Sequence, residues 1–207
     1  MFRRKKFSAR STSMFLVNAK RMTIETRFNF STVVATWFYI GKFPIMPGTI
    51  ASICTYPIYY FMIISSTSYS EISLSFFIVT AILWLLGLYS VSVFQKETNS
   101  FDHQMIVIDE IVGQLLTFAI SYEFLDNISR FLYFEFEAVS MRTMTLSFII
   151  GVCAFRFFDI AKPFFIKNID KNYKGAFGVM LDDIVAGIFA GGSIYICHVV
   201  LDKLRYL

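Results

Sequence analysis

Two long stretches of this chain carry no charged residue, and they constrain its fold more than any other feature. They cover residues 43–70 and 72–95, and the second includes the run FFIVTAILWLLGLY. A helix needs about 20 apolar residues to cross a lipid bilayer, so both stretches are predicted to span a membrane. Composition agrees, because 56% of the residues are apolar and 16% are charged, whereas soluble domains carry about 25% charged residues.

Three further stretches are apolar but contain or adjoin charged residues: 105–122, 143–155 and 184–201. They can span a membrane only if their charged ends lie at the interface or against other helices. Residues 28–41 are too short to span, and we expect them to be interfacial or re-entrant. The predicted fold is therefore all-α, a polytopic membrane helical bundle of four to five membrane helices with short interfacial helices.

The N-terminal segment is strongly basic. Residues 1–30 hold eight basic residues against one acid, which the positive-inside rule places on the cytoplasmic side. A nucleic-acid-binding tail is the alternative, but no basic platform interleaved with aromatic residues follows it. We therefore predict a basic, disordered cytoplasmic tail over residues 1–27, one membrane-embedded domain over residues 28–207, and no nucleic-acid partner.

Loop charges predict how the spans thread through the membrane. With the tail inside, the loop of residues 65–75 lies outside and has no Lys or Arg, and the loop of residues 162–174 lies inside and has four lysines. Lys203 and Arg205, which this threading places outside, are an objection. The threading brings one set of residues to the cytoplasmic face: Gly48, Asp102, Asp109, Glu110, Arg156, Asp159, Lys162, Asp182 and Asp183.

Two adjacent acidic pairs lie in apolar surroundings, Asp109-Glu110 in IVIDEIVG and Asp182-Asp183 in GVMLDDIVAG. A carboxylate in such surroundings costs several kcal/mol unless it is neutralised. A hard divalent cation binds such oxygen ligands, so both pairs are predicted metal ligands. The alternative is that the acids only stabilise helix N-termini through the helix dipole.

The segment FRFFDIAKP combines basic and acidic residues. Arg156, Asp159 and Lys162 recur at three-residue spacing, so we expect them to share a helix face that Pro163 then ends or kinks. An Arg and a Lys beside an Asp suit a site that binds both phosphate oxygens and a metal. The alternative is a structural ladder of salt bridges.

The segment DHQMIVIDE offers a titratable group near neutral pH. If the helix extends back to residue 102, Asp102 stacks over Asp109 and His103 over Glu110. His103 could then act as a general acid or base. The alternative is a solvated loop histidine. His198, inside an apolar helix, is predicted to be a packing or interfacial residue.

Two glycine-containing patterns complete the candidate features. In KFPIMPGTIAS, a turn at Pro47-Gly48 precedes a helix that Thr49 or Ser52 can cap, and its free N–H groups could bind an anion. Capping alone explains Thr49 equally well. Gly187 and Gly191 form a GxxxG pattern, which is predicted to be a helix-packing face.

Taken in order, the motifs PGT…S, DHxxIVxDExxG, FRxFDIxKP and GVMxDDIVAG resemble the phosphatidylglycerophosphatase A family, from about Gly41 to Ile196. The resemblance implies a magnesium-dependent enzyme of the bacterial inner membrane that removes the terminal phosphate of phosphatidylglycerophosphate in phospholipid biosynthesis. The chain departs from the family's usual pattern at Ala51, where Gly is frequent, and at Phe165, near which Pro is frequent. The site residues that the resemblance implies are Asp102, His103, Asp109, Glu110, Arg156, Asp159, Lys162, Pro163, Asp182 and Asp183.

These residues predict a mechanism on a phospholipid substrate at the cytoplasmic face. Mg²⁺ is held by some of Asp109, Glu110, Asp182 and Asp183, while Gly48 and Thr49 contact substrate. Arg156 and Lys162 bind substrate and stabilise charge on the phosphoryl oxygens, and His103 or Asp102 protonates the leaving alcohol. Direct water attack is preferred to an aspartyl-phosphate on Asp159, since no DxDx(T/V) signature is present.

Two other classes of protein compete with an enzyme. A small transporter or channel would use intramembrane carboxylates to conduct protons or cations, and a membrane scaffold would need no carboxylate chemistry. The number of metals and the oligomeric state stay open.

Overall fold

The computed structural model describes residues 29–100, 103–133, 140–162 and 175–205, and all regular structure within these ranges is helical, which confirms the predicted all-α fold. The basic tail, Asp102 and Pro163 lie outside the described residues. The elements are α1 (Phe30–Ala35), a 3-10 turn (Ile40–Lys42), α2 (Pro47–Ile53), α3 (Tyr56–Ile64), α4 (Tyr69–Thr98), α5 (Ile108–Tyr133), α6 (Met141–Ala161) and α7 (Ala176–Arg205).

Four segments of the described chain are long and apolar enough to cross a membrane: α2 with α3 as Pro47–Ile64, α4, α6, and α7 as far as Leu204. Helix α5 is not among them, because polar side chains lower its hydropathy. It is instead the centre of the bundle, where Ile111, Leu115 and Phe118 are fully buried and α4, α6 and α7 pack around it. The surrounding helices therefore shield α5 from lipid.

Contacts along α5 fix the direction of each neighbouring helix. They are Tyr69 with Asp126, Phe94 with His103, Glu110 with Arg156, Ser129 with Ser147, Ile120 with Gly191, and Phe124 with Tyr195. Helices α4 and α6 thus run antiparallel to α5, and α7 runs parallel to it. The start of α5, the end of α6 and the start of α7 consequently meet at one end of the bundle, as the loop-charge threading predicts.

Local sequence explains where the long helices begin and end. Ser68 accepts a hydrogen bond from the backbone N–H of Glu71 at the start of α4, and Asn99 ends α4 in a left-handed conformation with φ 50°. Ser140 and Thr143 form a reciprocal capping box at the start of α6. Such caps satisfy backbone groups that a helix end leaves without partners.

The start of α5 differs from the predicted one. The helix begins at Ile108, because the backbone N–H of Val107 donates to the carbonyl of Ala35 at 3.0 Å and holds the preceding segment out of helical geometry. The predicted stacking of His103 over Glu110 on one helix is therefore wrong. The stacking of Asp102 over Asp109 stays a prediction, because Asp102 lies outside the described residues.

Other boundaries also differ from the sequence-based ones. Helix α5 continues to Tyr133, so the first half of the predicted outer loop 123–142 is helical. The first span is broken between Ile53 and Tyr56, because Pro57 has no N–H to continue the hydrogen-bond ladder. Helix α7 starts at Ala176 rather than at Asp182, so its acidic pair lies about two turns inside the helix.

A buried polar network joins α4 and α5 at the end opposite the predicted site. The Asp126 carboxylate is fully buried, and its Oδ2 accepts from Tyr69 Oη at 2.8 Å and from Arg130 Nε at 2.7 Å. A buried carboxylate with two donors is stabilising only while both partners remain. This network therefore fixes these two helix ends, at the end of the bundle opposite the predicted site, against each other.

We expect Asp126→Ala to lower the free energy of unfolding by about 2 kcal/mol, because it removes the buried carboxylate to which both Tyr69 and Arg130 donate. Denaturant unfolding in detergent micelles measures this change. Asp202→Ala, at an exposed position near the end of α7, is the control and should leave stability unchanged. Equal stability of the two variants would contradict the structural role of Asp126.

Candidate metal and phosphate site

The two acidic pairs meet at the start of α5 and in the second turn of α7. Carboxylate oxygens of Asp109, Glu110 and Asp183 all lie within 4.8 Å of one another. These three residues are called the carboxylate cluster below. The prediction that acids from distant parts of the chain converge at one end of the bundle therefore agrees with the geometry.

The carboxylate cluster is deeply placed in the protein. Asp109 and Asp183 are 9% and 5% exposed, and Glu110 Oε2 is buried with no hydrogen-bond partner among the described residues. The three carboxylates also lie within 4.8 Å of one another. Buried like charges at this spacing need a proton or a cation between them.

The donor set tests whether a divalent metal fits. All three cluster residues offer carboxylate oxygens, which are the hard ligands that Mg²⁺ and Ca²⁺ take in proteins. One oxygen from each of the three lies within 4.8 Å of the others, close enough to share one ion. Asp109, Glu110 and Asp183 are therefore the residues that could hold Mg²⁺.

Asp182 has a different partner from its neighbour. Its Oδ2 accepts a hydrogen bond from Lys162 Nζ across the α6–α7 contact. Adjacent helical residues point about 100° apart. The side chain of Asp183 therefore points towards Asp109 and Glu110, while that of Asp182 points towards the end of α6. Of the four predicted metal ligands, three form the cluster and Asp182 holds a lysine beside it.

Arg156 is in the last two turns of α6, and its side chain extends towards the cluster. Its Nη1 is 2.6 Å from Asp159 Oδ2 and 4.0 Å from Glu110 Oε1, and its Nε is buried with no hydrogen-bond partner among the described residues. The predicted shared face holds for Arg156 and Asp159. Lys162 leaves that face, because it ends α6 in a left-handed conformation with φ 39°.

Gly48 brings the backbone of α2 close to the cluster. A Cβ at this position would collide with the Glu110 carboxylate and would lie 3.2 Å from Arg156 Nη1. Thr49 Oγ1 is buried without a hydrogen-bond partner among the described residues. The predicted capping by Thr49 or Ser52 is wrong, because Met46 occupies the N-cap and makes no side-chain hydrogen bond.

A glycine contact between α5 and α7 sets the spacing of the cluster. A Cβ on Gly113 would lie 2.6 Å from the carbonyl oxygen of Asp183, and one on Gly187 would lie 2.6 Å from the carbonyl oxygen of Gly113. The predicted packing role of Gly187 and Gly191 agrees with these contacts. Sequence reasoning missed Gly113 as the partner, although its position after DExx marked it.

The two histidines have different surroundings. His103 lies in the turn before α5, where Nδ1 accepts from the Met105 N–H at 3.3 Å and the ring meets Phe94 edge-on at 5.5 Å. His198 packs against Phe124 at 5.3 Å, in agreement with its predicted packing role. The catalytic role of His103 stays a prediction, as does that of Asp102, which lies outside the described residues.

Known proteins resemble this chain in sequence. The model of the family described as Phosphatidylglycerophosphatase A matches residues 33–198. The chain is 28% identical to phosphatidylglycerophosphatase A of Escherichia coli, over 79% of this chain and 80% of that protein. It is 33% identical to the Haemophilus influenzae protein of the same name, over 56% of this chain and 59% of that protein.

A third relative carries a different name. The chain is 25% identical to a putative phosphatidylinositol-3-phosphatase of Bacteroides thetaiotaomicron, over 76% of this chain and 87% of that protein. No solved structure matches the chain significantly.

The helical bundle, its terminal carboxylate cluster and these relatives define the class of the protein, a membrane-embedded phosphatase that acts on a phosphate monoester. The family model covers most of the chain. The chain belongs to the phosphatidylglycerophosphatase A family.

We expect Gly48→Ala to lower the rate of phosphate release roughly 100-fold, because the new methyl group displaces the Glu110 carboxylate. Gly192→Ala is the matched control, since a Cβ at Gly192 meets nothing within 4 Å. Both rates are measured in detergent micelles alongside thermal unfolding. Equal rates in the two variants would show that the contact between Gly48 and Glu110 has no part in activity.

Proposed function

We propose that this protein hydrolyses phosphatidylglycerophosphate to phosphatidylglycerol and inorganic phosphate, in a magnesium-dependent step of phospholipid biosynthesis at the cytoplasmic face of the bacterial inner membrane. The observation that carries the proposal is the carboxylate cluster beside Arg156, in a chain of this family. The names of the Escherichia coli and Haemophilus influenzae relatives support the choice of substrate.

Mg²⁺ is the proposed cofactor, held by Asp109, Glu110 and Asp183. When bound there, it supplies Lewis-acid chemistry for phosphate hydrolysis. The protein's contribution is to hold three carboxylates within 4.8 Å of one another inside a packed bundle.

The basic residues bind and orient the phosphate group. Arg156 has a buried Nε that is free to donate to a phosphoryl oxygen, while Asp159 holds its Nη1 at 2.6 Å. A planar guanidinium suits phosphate geometry. Lys162, bonded to Asp182, supplies a second cation at the same end of the bundle.

Proton transfers are assigned to groups before α5 and to water. His103 or Asp102 protonates the leaving alcohol of the lipid. Direct attack by water on phosphorus is preferred to a phosphoenzyme on Asp159, because that carboxylate is engaged with Arg156. Asp159 then serves to orient Arg156.

The membrane orientation rests on charge. In the sequence, the connection between α6 and α7 includes four lysines in residues 162–174, and eight basic residues precede α1. The positive-inside rule places such segments in the cytoplasm. A phospholipid headgroup would meet the cluster there while its acyl chains stay in the bilayer.

A transporter or channel is a weaker candidate. Helix α5 carries no Asp or Glu between Glu110 and Glu123, a gap of about 20 Å at 1.5 Å per residue. A path for cations or protons needs polar ionisable groups along the pore. The acids instead gather at the end of the bundle where a headgroup would lie.

Phosphate release from purified protein in detergent micelles tests the proposed function. Phosphatidylglycerophosphate should be hydrolysed with Mg²⁺ and not after EDTA. Phosphatidylinositol 3-phosphate is the comparison substrate, since the Bacteroides thetaiotaomicron relative is named for it. No release from the first substrate, or cation flux across liposomes without release, would overturn the proposal.

We expect Asp109→Asn and Asp183→Asn each to lower kcat/KM roughly 100-fold or more, about 3 kcal/mol of transition-state stabilisation, because each removes a charged cluster oxygen. Asp202→Asn makes the same chemical change at an exposed position and should retain full activity. Wild-type rates in both cluster variants would argue for a non-catalytic scaffold.

Arg156→Lys keeps the positive charge but loses the planar donor fork. We expect kcat/KM to fall about 10-fold to 100-fold. Arg142→Lys, exposed at the start of α6, is the control. If Arg156→Lys retains the wild-type rate, charge alone suffices and the guanidinium does not bind the phosphate in a bidentate manner.

A further inference from the structure

Gln114 is a buried amide that the proposed chemistry does not use. Its side chain is fully buried, and neither Oε1 nor Nε2 has a hydrogen-bond partner among the described residues. Two other polar residues further along α5 are satisfied within the helix, since Thr117 Oγ1 donates to the carbonyl of Gly113 and Ser121 Oγ to that of Thr117. An unsatisfied amide inside a membrane bundle is costly and calls for a partner.

The position of Gln114 relates it to the carboxylate cluster. It lies four residues after Glu110 on α5, so it shares that residue's face one turn deeper in the bundle. Glu110 Oε2 is itself buried and without a hydrogen-bond partner among the described residues. Two unpartnered polar groups thus follow each other down the same helix face.

A third such group comes from α2. Gly48 lies against Glu110, and Tyr59 on α3 packs on Phe118 at 4.6 Å, so this part of the chain runs parallel to α5. One turn after Gly48, Ser52 is fully buried, and its Oγ has no hydrogen-bond partner among the described residues. The helix register therefore places Ser52 at the level of Gln114.

We propose that Gln114 and Ser52 form a water-binding site one turn beneath the carboxylate cluster, and that the bound water holds Glu110. A water molecule has two donors and two acceptors. It can donate to Glu110 Oε2 and to Gln114 Oε1 while it accepts from the Ser52 hydroxyl. One ligand would then satisfy three of the four orphaned atoms, Glu110 Oε2, Gln114 Oε1 and Ser52 Oγ, in the way that buried water commonly serves polar sites in proteins.

The consequence is a positioning role for Gln114. Held at Oε2, Glu110 keeps its Oε1 directed towards Gly48 and Arg156. Side chains that fix the orientation of a metal ligand through hydrogen bonds are important for affinity. Their removal typically weakens metal binding 10-fold to 100-fold. This inference rests on the proposed function, because it assumes that the cluster binds a divalent cation.

Divalent-cation affinity tests the inference in purified full-length protein, with Mn²⁺ binding followed by electron paramagnetic resonance and Mg²⁺ as competitor. Gln114→Leu should weaken binding about 10-fold, because the water that holds Glu110 loses one of its two acceptors. Ser52→Ala should weaken binding in the same direction. Ser121→Ala, which removes a hydroxyl satisfied within its own helix, is the matched control and should bind as wild type.

The possible outcomes distinguish failure of this inference from failure of the proposed function. Wild-type Mn²⁺ affinity in both Gln114→Leu and Ser52→Ala would overturn the water site and leave the metal site intact. A wild-type protein that binds no divalent cation would overturn the metal dependence and this inference together. Should Gln114→Leu fail to fold, Ser52→Ala decides the question from the opposite helix.

Discussion

The close packing of α5 against α7, which holds Asp109, Glu110 and Asp183 together against their mutual repulsion, is the constraint on which the site depends. At separations of up to 4.8 Å, each ionised pair costs at least about 3.5 kcal/mol at an effective dielectric constant near 20. The carboxylates cannot separate to relieve this cost, because α5 and α7 meet backbone to backbone at Gly113 and Gly187. Helix packing therefore offsets the repulsion within the cluster, and a bound cation would reduce that repulsion.

The general architecture could be predicted because membrane insertion leaves few choices. Uncharged stretches must span, and loop charge orients them, so convergence of both acidic pairs at one end follows from the sequence. Helix boundaries could not be predicted as well. The backbone bond from Val107 to Ala35 delays the start of α5, and that contact joins distant segments that no local pattern connects. Pro57, by contrast, was a visible local signal for the break between α2 and α3.

Within the site, residue types were predictable and their division of roles was not. Both members of the 109–110 pair reach the cluster, whereas Asp182 turns away to Lys162. That difference depends on the left-handed end of α6, which brings Lys162 across to α7. The role of Gln114 could not be predicted for a related reason. A single Gln in an apolar helix is not distinctive in the sequence, and its burial and lack of hydrogen-bond partners among the described residues are known only from the structure.

The enclosed position of α5 has a consequence for how the protein is made. This helix is not among the four that could enter lipid by length and composition, and its buried face carries Asp109, Gln114 and Asp126. Such side chains oppose partitioning of an isolated helix into the bilayer. We therefore expect insertion of α5 to depend on its packing against the four more apolar segments that surround it.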